Sequence, residues 1–373
     1  MYNEALEDAI AKTKRNIGRF GKRFPHVSND GVYELNDNTD WTNGFWSGML
    51  WLSYEHTKDE AFRNAALDTV ESFRDRLDNR LHLDHHDIGF LYSLSSKAKW
   101  MIERDEQAKR MTIEAADVLM KRWRAEGRYL QAWGAKGDAD NGGRIIVDCM
   151  MNLPLLYWAF EKTGNEEYKK VAIQHADKSR RFLIRGDDSS YHTFYFNPAD
   201  GEAIRGGTAQ GYMDGSTWTR GQAWAIYGFA LSYRYTGNQL YLETAKRTAV
   251  YFIEHLPEDQ VAYWDFDAPV TAETKRDSSA SAIVACGLLE IIGHLESSDP
   301  LLVYFQDAVH RTMRSLIERY STIGQADAQG LLEHGSYSVR GGASPDDFMI
   351  WGDYYYMEAL MRLQNGHKGY WYE

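Results

Sequence analysis

The sequence predicts an all-α protein, an (α/α)6 barrel of six inner and six outer helices. Amphipathic segments with a period near 3.6 residues recur along the whole chain, and they come in pairs. The first member of each pair is rich in Gly, Ala and aromatic residues and carries few charges, as a helix buried on most faces requires. The second member carries Lys, Arg and Glu at regular spacing, as a helix with one solvated face requires. This difference in charge between the two members predicts that inner and outer helices alternate along the chain.

The predicted helices follow one another in a regular order. The first, residues 3–22, is expected to pair with the last, residues 348–364, and so to close the ring. Short turns join the members of the other five pairs, which are 45–56 with 60–77, 87–103 with 106–126, 145–163 with 166–184, 218–236 with 239–256, and 278–295 with 300–320. An α-solenoid is the alternative, but it would have more regular repeat lengths and stronger self-similarity.

The composition favours one domain. The chain has 373 residues, of which 43% are hydrophobic and 26% charged, so it can bury a large core. It has only seven prolines and no linker rich in Pro, Gly or Ser. We therefore expect a single catalytic barrel domain over residues 1–373.

Charge and cysteine content exclude several kinds of partner. The net charge of −12 argues against nucleic acid and provides no basic patch for a membrane surface. The charged amphipathic start resembles neither a signal peptide nor an anchor, and no apolar run approaches the ~20 residues of a spanning helix. Cys149 and Cys286 lie in separate apolar segments and are expected to be buried free thiols. We expect a cytoplasmic protein that is a monomer or a weak homo-oligomer.

The barrel places the long loops together at its mouth, because all inner helices begin at the same end. Tryptophans and acids concentrate at these positions, and this combination is typical of a carbohydrate cleft, where indole faces stack on sugar rings. Aromatic side chains would also stack on single-stranded RNA, but the negative charge disfavours that interpretation. The residues concerned are Trp41, Asn43, Trp46, His85, His86, Asp87, Asp148, Trp218, Arg220, Trp224, Arg276, Asp277, Trp351 and Asp353.

Four of these residues are candidate catalytic acids, and glycoside hydrolysis commonly uses two. Asp148 interrupts the apolar run RIIVDCMMNLPLLYWAF, where loss of water would raise its pKa and suit a general acid. The alternative is a helix N-terminal Asp that binds free backbone N–H groups. Asp87 follows two histidines, whereas Asp277 and Asp353 are more easily interpreted as structural acids. Sequence spacing alone does not rank the four.

No metal or cofactor is expected. His85 and His86 are adjacent and so face different directions, and neither an HExxH spacing nor a phosphate-binding glycine motif occurs. The one glycine-rich loop of interest is RGGTAQG, residues 205–211. Its glycines let the backbone approach a ligand closely, with Thr208 and Gln210 available as hydrogen-bonding groups.

Many segments of the chain closely resemble those of the unsaturated glucuronyl hydrolases, glycoside hydrolase family 88. They extend from the first helix to the last residues and are LNDNTDWTNGFWSGMLW, LDHHDIGFLYSLS, QAWGAKGD, NGGRIIVDCMMNLPLL, SSYHTFYF, GGTAQG, DGSTWTRGQAWAIYGFAL, RDSSASAI and IWGDYYYMEAL. The resemblance implies an (α/α)6 barrel and a substrate with a 4,5-unsaturated uronic acid at its non-reducing end, left by a polysaccharide lyase. It also implies hydration of the C4–C5 double bond rather than attack at the anomeric carbon.

The resemblance carries over roles to individual residues. Asp148 matches the general acid/base that protonates C4 and helps deliver water to C5, and Asp87 matches the second essential acid. Arg220 is expected to be the counter-charge to the acidic sugar. The expected sugar-binding residues are Trp41, His86, Trp133, His192, Thr208, Gln210, Trp218, Arg220 and Trp224.

Two loops are expected to influence specificity. The resemblance implies His at the x position of the family's GGT-x-QG loop, where this sequence has Ala209, and this departure is expected to change the preferred second sugar. The loop at residues 336–347 is expected to border the second sugar and to influence tolerance of sulfate. The alternatives are an unsaturated rhamnogalacturonyl hydrolase, a sugar epimerase that relies on paired histidines, and a non-catalytic sugar-binding protein.

Overall fold

The computed structural model describes residues 1–373, and its helices form an outer and an inner ring. The outer helices are α1 (Tyr2–Phe20), α3 (Glu60–Asp78), α5 (Glu106–Met120), α7 (Glu166–Phe182), α9 (Gln239–Glu254) and α11 (Leu301–Ser315, continued by a π turn, Leu316–Tyr320). The inner helices are α2 (Asn43–Thr57), α4 (Ile88–Tyr92, a π turn Ser93–Lys97, and Ala98–Glu103), α6 (Leu153–Thr163), α8 (Thr219–Thr236), α10 (Ser278–Ile292) and α12 (Ile350–Asn365). The predicted (α/α)6 barrel is confirmed.

Burial separates the two rings as the sequence indicated. Every residue of inner helix α8 from Thr219 to Ser232 is buried, because the helix packs against neighbours on all sides. In outer helix α9 the buried residues lie on one face, and they include Tyr241, Ala245, Ala249 and Phe252. One hydrophobic cluster of 99 buried residues includes members from every helix of both rings.

The ring closes where the first and last helices meet. Helix α1 packs against α12, and α12 packs in turn against α2 and α10. Lys12 on α1 donates to the carbonyl oxygen of Thr322 at 2.6 Å, and Asn16 donates to that of Gln329 at 2.7 Å. The first helix therefore completes the outer ring beside the last pair, as predicted.

Short antiparallel strands supplement the helices. They are β1 (Phe24–Asn29) with β2 (Val32–Asn36), β3 (Trp123–Arg124) with β4 (Tyr129–Leu130), and a three-stranded sheet in the order β5 (Arg144–Ile146), β6 (Thr193–Phe196) and β7 (Ala203–Gly207).

The strands correct two predicted helices. The segment 145–163 begins as strand β5, continues as a 3-10 turn (Val147–Met151) and becomes helical only at Leu153, with Pro154 in the first turn. Its β-branched start pairs with β6 instead. The predicted helix 106–126 ends at Met120, because β3 and β4 form a hairpin.

The two ends of the barrel differ. At one end, isolated bridges tie together loops that precede inner helices, including His85 with Trp133 and Trp218 with Asp265. At the other end the C-terminal segment is buried, and Trp371 donates to Glu358 at 3.0 Å.

Cys149 and Cys286 are buried and free, as predicted. No helix has the length and apolar composition required to cross a membrane.

Candidate active site

A cavity of about 420 Å³ lies at the mouth of the barrel. Its wall consists of Trp41, His86, Asp87, Trp133, Asp148, Gln210, Tyr337, Ser338 and Ala343. The first six of these residues were predicted from the sequence, and they come from the segments that precede α2, α4, α6 and α8. The barrel therefore brings together side chains that are far apart along the chain.

Asp148 lies in the 3-10 turn before α6, between the fully buried residues Val147 and Cys149. Its side chain is 13% exposed, and Oδ2 has no hydrogen-bond partner in the protein. Burial raises its pKa to about 7, and the negative charge of Asp87 adds to that rise. Neither the 3-10 turn nor α6 has a side-chain cap, so the structure does not support the alternative of a structural helix cap.

The environment of Asp87 favours the charged form of its carboxyl group, in contrast to that of Asp148. Its Oδ1 lies 3.3 Å from Nε2 of His86 and accepts a long hydrogen bond of 3.4 Å from Nδ2 of Asn152, while Oδ2 lies 3.4 Å from Nδ1 of His85. Burial raises the pKa of this carboxyl group, but the two imidazoles and the amide outweigh it, so the pKa lies below its ordinary value. The cavity therefore holds one charged acid beside one acid that retains its proton near neutral pH.

His192 lies beside Asp148 with its tautomer fixed by backbone N–H groups. Its Nδ1 accepts the backbone N–H groups of Ala209 at 3.0 Å and of Gln210 at 3.4 Å, so the ring proton resides on Nε2. Nε2 lies 3.8 Å from Oδ2 of Asp148, beyond hydrogen-bond distance, and has no hydrogen-bond partner in the protein. Burial lowers the pKa of His192, which keeps the ring neutral. The ring also packs on Trp218, with centroids 4.3 Å apart.

Asn152 connects the segments that carry the two acids. Its Oδ1 accepts the backbone N–H of Phe90 at 2.8 Å, in the first turn of α4. Its Nδ2 lies 3.4 Å from Oδ1 of Asp87 and 3.2 Å from the backbone carbonyl oxygen of Asp148. One buried amide thus fixes the position of both acids relative to each other.

Glycines allow the turn that carries Asp148 to approach its neighbours closely. A Cβ atom at Gly89 of α4 would lie 2.6 Å from Cα of Asn152. A Cβ atom at Gly228 of α8 would lie 2.4 Å from Cβ of Met150. The turn therefore lies between two helices at positions where no larger residue fits without displacement.

The other two candidate acids are structural, as the sequence indicated. Asp277 is the N-cap of α10 and pairs with Arg220 at 2.6 Å. Asp353 accepts the backbone N–H groups of Leu331 and Leu332 and the hydroxyl of Tyr33. Neither residue lines the cavity, so Asp87 and Asp148 are the two candidate catalytic acids that remain. No cluster of three or more His, Cys, Asp or Glu side chains is arranged to hold a metal ion.

Residues 16–371 match the family model described as Glycosyl Hydrolase Family 88. The chain belongs to this family. It is 62% identical over 374 residues to the unsaturated glucuronyl hydrolase of Bacillus sp. (strain GL1), a match that covers 100% of this chain and 99% of that protein. It is 44% identical to the unsaturated chondroitin disaccharide hydrolase of Streptococcus agalactiae, over 99% of this chain and 92% of that one.

Solved structures of family 88 enzymes have the same fold. The unsaturated glucuronyl hydrolase of Bacillus sp. GL1 superposes with a TM-score of 0.99 at 61% identity, covering 100% of this chain and 99% of the other. A structure named with the saccharide dGlcA-Glc-Rha-Glc gives the same score, identity and coverage. A mutant of the Streptococcus agalactiae enzyme complexed with dGlcA-GalNAc6S gives a TM-score of 0.88 at 42% identity, over 99% and 93% of the two chains.

Apart from His192, which lies beside Asp148, four of the predicted sugar-binding residues of this family 88 chain do not line the cavity. Thr208 accepts the backbone N–H of Gly211 at 2.7 Å and so shapes the glycine-rich loop. Trp218 supports His192, and Trp224 is buried in the core, with its ring centroid 5.2 Å from that of Phe90. The fourth is Arg220.

Arg220, the expected counter-charge to the acidic sugar, is paired within the protein in this structure, and its contact with a sugar stays a prediction. The side chain is 1% exposed, pairs with Asp277, and donates to the backbone carbonyl oxygens of Ser336 and Tyr337, the latter at 2.9 Å. Its charge is already used within the protein, and it holds the loop at residues 336–347 against the barrel. Sequence patterns do not reveal such pairing, because the acid and the arginine lie on different helices.

The cavity also contains residues that the sequence did not single out. Tyr337, Ser338 and Ala343 line it from the loop that was expected to border the second sugar, and Gln210 donates to the carbonyl oxygen of Tyr337 at 2.8 Å. Asn152 was missed as well. Its position four residues after Asp148, just before the Pro-containing start of α6, was the only local signal.

Proposed function

We propose that this chain removes 4,5-unsaturated glucuronic acid from the non-reducing end of oligosaccharides that polysaccharide lyases produce. The observation that carries the proposal is the pair of acids in one cavity, in which Asp148 keeps its proton near neutral pH and Asp87 is charged. The names of the family relatives, which describe hydrolases of unsaturated glucuronyl and chondroitin disaccharide substrates, support the same class of substrate.

The proposed first step is protonation of a carbon atom. The C4–C5 bond of the unsaturated sugar is a vinyl ether, because the ring oxygen is attached to C5. Asp148 donates its proton to C4, and the positive charge that develops at C5 is shared with the ring oxygen. An acid with a pKa of about 7 is suited to this step, since it is still protonated near neutral pH.

The second step adds water. The carboxylate of Asp148 accepts a proton from a water molecule whose oxygen attacks C5, which gives a hemiketal and regenerates the acid. The bond between C5 and the ring oxygen then opens to leave a ketone at C5 and a hemiacetal at C1. Collapse of the hemiacetal expels the remaining saccharide as an alcohol and leaves an aldehyde, so one water molecule is consumed per glycosidic bond.

The neighbouring residues support both steps. The charge of Asp87 raises the pKa of Asp148 and stabilises positive charge at C5. Once Asp148 has lost its proton, Nε2–H of His192 donates a hydrogen bond to the carboxylate. Asn152 holds the two acids at a fixed distance from each other. Trp41 and Trp133 provide apolar faces for the sugar rings.

The loop at residues 336–347 is proposed to determine which second sugar is accepted. Tyr337, Ser338 and Ala343 are its members at the cavity. Relatives are named with dGlcA-Glc-Rha-Glc and dGlcA-GalNAc6S, so the family includes enzymes crystallised with both a neutral and a sulfated second sugar.

The test is an activity panel of unsaturated oligosaccharides from chondroitin, hyaluronan, heparin, gellan, xanthan and rhamnogalacturonan. Loss of the near-ultraviolet absorbance of the conjugated double bond reports turnover, and reaction in heavy water is expected to place deuterium at C4 of the product. Absence of deuterium at C4, or equal hydrolysis of saturated analogues, would exclude hydration. Preference for the rhamnogalacturonan fragment would instead identify the pectin-directed relative of this activity.

We further infer that residues 1–373 act as one domain in a monomer or weak homo-oligomer. The large hydrophobic cluster with members from every helix supports one domain, and the free thiols of Cys149 and Cys286 fit a cytoplasmic location. A single cooperative unfolding transition and sedimentation at the monomer mass would be the expected results.

A further inference from the structure

A row of alternating aromatic and cationic side chains crosses the sheet β5–β6–β7 beside the cavity. The strand register pairs Arg144 with Tyr195 and Tyr195 with Arg205, and residues directly opposite each other share one face of a sheet. The row begins at Trp133 in the cavity wall, since the guanidinium carbon of Arg144 lies 4.4 Å from the centroid of a Trp133 ring. Arg144 and Arg205 lie 5.3 Å and 4.6 Å from the ring centroid of Tyr195.

Both guanidinium groups remain available to an anion. Arg144 forms no salt bridge, donates only a long hydrogen bond of 3.3 Å to Asn141, and has a buried Nε without a partner. Arg205 pairs with Asp214 at 2.9 Å, but their side chains are 54% and 59% exposed. A pair so exposed contributes little and is readily exchanged for another anion.

The row has the chemistry that an acidic sugar requires. Guanidinium groups bind carboxylates and sulfates through paired hydrogen bonds, and aromatic faces pack against sugar rings. The chain has a net charge of −12, so a polyanionic substrate needs local cations where it leaves the cavity. Arg220 does not provide them, because it is buried against Asp277.

We propose that Arg144, Tyr195 and Arg205 form a distal subsite for the carboxylate or sulfate of a sugar beyond the first glycosidic bond. The inference rests on the proposed function, because the chain of sugars is taken to extend outward from an unsaturated uronic residue held in the cavity. The subsite makes the enzyme favour longer acidic oligosaccharides over disaccharides.

The test compares two unsaturated substrates from hyaluronan at low salt: the disaccharide, and the tetrasaccharide whose third sugar carries a carboxylate. Arg205→Gln is expected to raise KM for the tetrasaccharide about threefold, as for a partly exposed ion pair, and to leave the disaccharide unchanged. Asp214→Asn is expected to lower KM for the tetrasaccharide. It removes the competing charge, while Oδ1 can still accept the N–H of Thr208.

A matched control lies on α7. Arg181 is also exposed and lies over an aromatic ring, that of Phe182, with 5.2 Å between the guanidinium carbon and the ring centroid. Arg181→Gln is expected to change neither substrate's kinetics. The tetrasaccharide dGlcA-Glc-Rha-Glc, whose second to fourth sugars are uncharged, provides a second control, because Arg205→Gln should not alter its KM.

The outcomes separate the two proposals. Hydrolysis of both hyaluronan substrates with no effect of Arg205→Gln on the tetrasaccharide would overturn the subsite alone. An equal effect on dGlcA-Glc-Rha-Glc would overturn recognition of the acid. If none of the unsaturated oligosaccharides in the panel is hydrolysed, the proposed function is overturned. Calorimetric binding of the tetrasaccharide to Asp148→Asn, with and without Arg205→Gln, then decides the subsite, and equal affinities would reject it.

Discussion

Replacement of Asp148 by Asn should change how the stability of the protein depends on pH. In the folded state the pKa of this carboxyl group rises from its ordinary value of 3.8 to about 7, a difference of about 3 pH units or ~4 kcal/mol. The folded protein retains the proton in this interval and the unfolded chain does not. The free energy of unfolding of the wild type therefore falls by about 1.4 kcal/mol per pH unit from roughly pH 4 to pH 7 because of this group. Asn cannot ionise, so the variant lacks that loss.

Urea unfolding of both proteins at half-unit steps between pH 4 and pH 8 measures the effect. The free energy of unfolding of Asp148→Asn minus that of the wild type should rise across the interval, by up to ~4 kcal/mol, and be flat above pH 7. Asp68→Asn, at an exposed position of α3, serves as the control and should show a constant difference. Parallel curves for Asp148→Asn and the wild type would refute the argument that burial holds the proton on this carboxyl group.

Other variants test the environment of Asp148. Asp87→Asn should lower turnover and move the alkaline limb of the kcat/KM profile to lower pH by roughly one unit, because loss of the neighbouring charge lowers the pKa of Asp148; an unmoved limb would contradict the coupling. Asn152→Asp should move the same limb to higher pH, since it adds a charge beside both acids while keeping an acceptor for the N–H of Phe90; a shift to lower pH would count against it. Gly228→Ala should destabilise the protein by about 1–3 kcal/mol in urea unfolding and reduce kcat, because its Cβ would lie 2.4 Å from that of Met150. Gly18→Ala, with no atom within 4 Å of the new Cβ, should do neither.

The sequence predicted the barrel because apolar residues recur with the helical period in each segment that packs on one face. It also singled out Asp148, because a charge among buried apolar residues is visible without any knowledge of the fold. Helix ends were less predictable. Whether residues 144–146 form a strand or a helix depends on pairing with β6, which lies almost 50 positions later in the chain.

Interactions across the barrel account for what the sequence did not reveal. Arg220 was expected to bind substrate because an arginine at the mouth of an acidic protein suggests that role, but its partner Asp277 lies on another helix. Asn152 has an unremarkable local context, and its importance arises only because α4 brings Phe90 and Asp87 against it. Tyr337 reaches the cavity from a loop whose path no periodicity predicts.

Gly89 and Gly228 couple the turn that carries Asp148 to two inner helices of the barrel. Gly89 lets α4 approach Asn152 closely and Gly228 lets α8 approach Met150 closely, so both helices restrain the turn Val147–Met151. A displacement of α4 or α8 is therefore expected to displace the acid. Substitutions within those helices, at positions that contact no sugar, should therefore lower kcat. On heating, activity should be lost at the same temperature as barrel packing and not at a lower temperature through loosening of a loop.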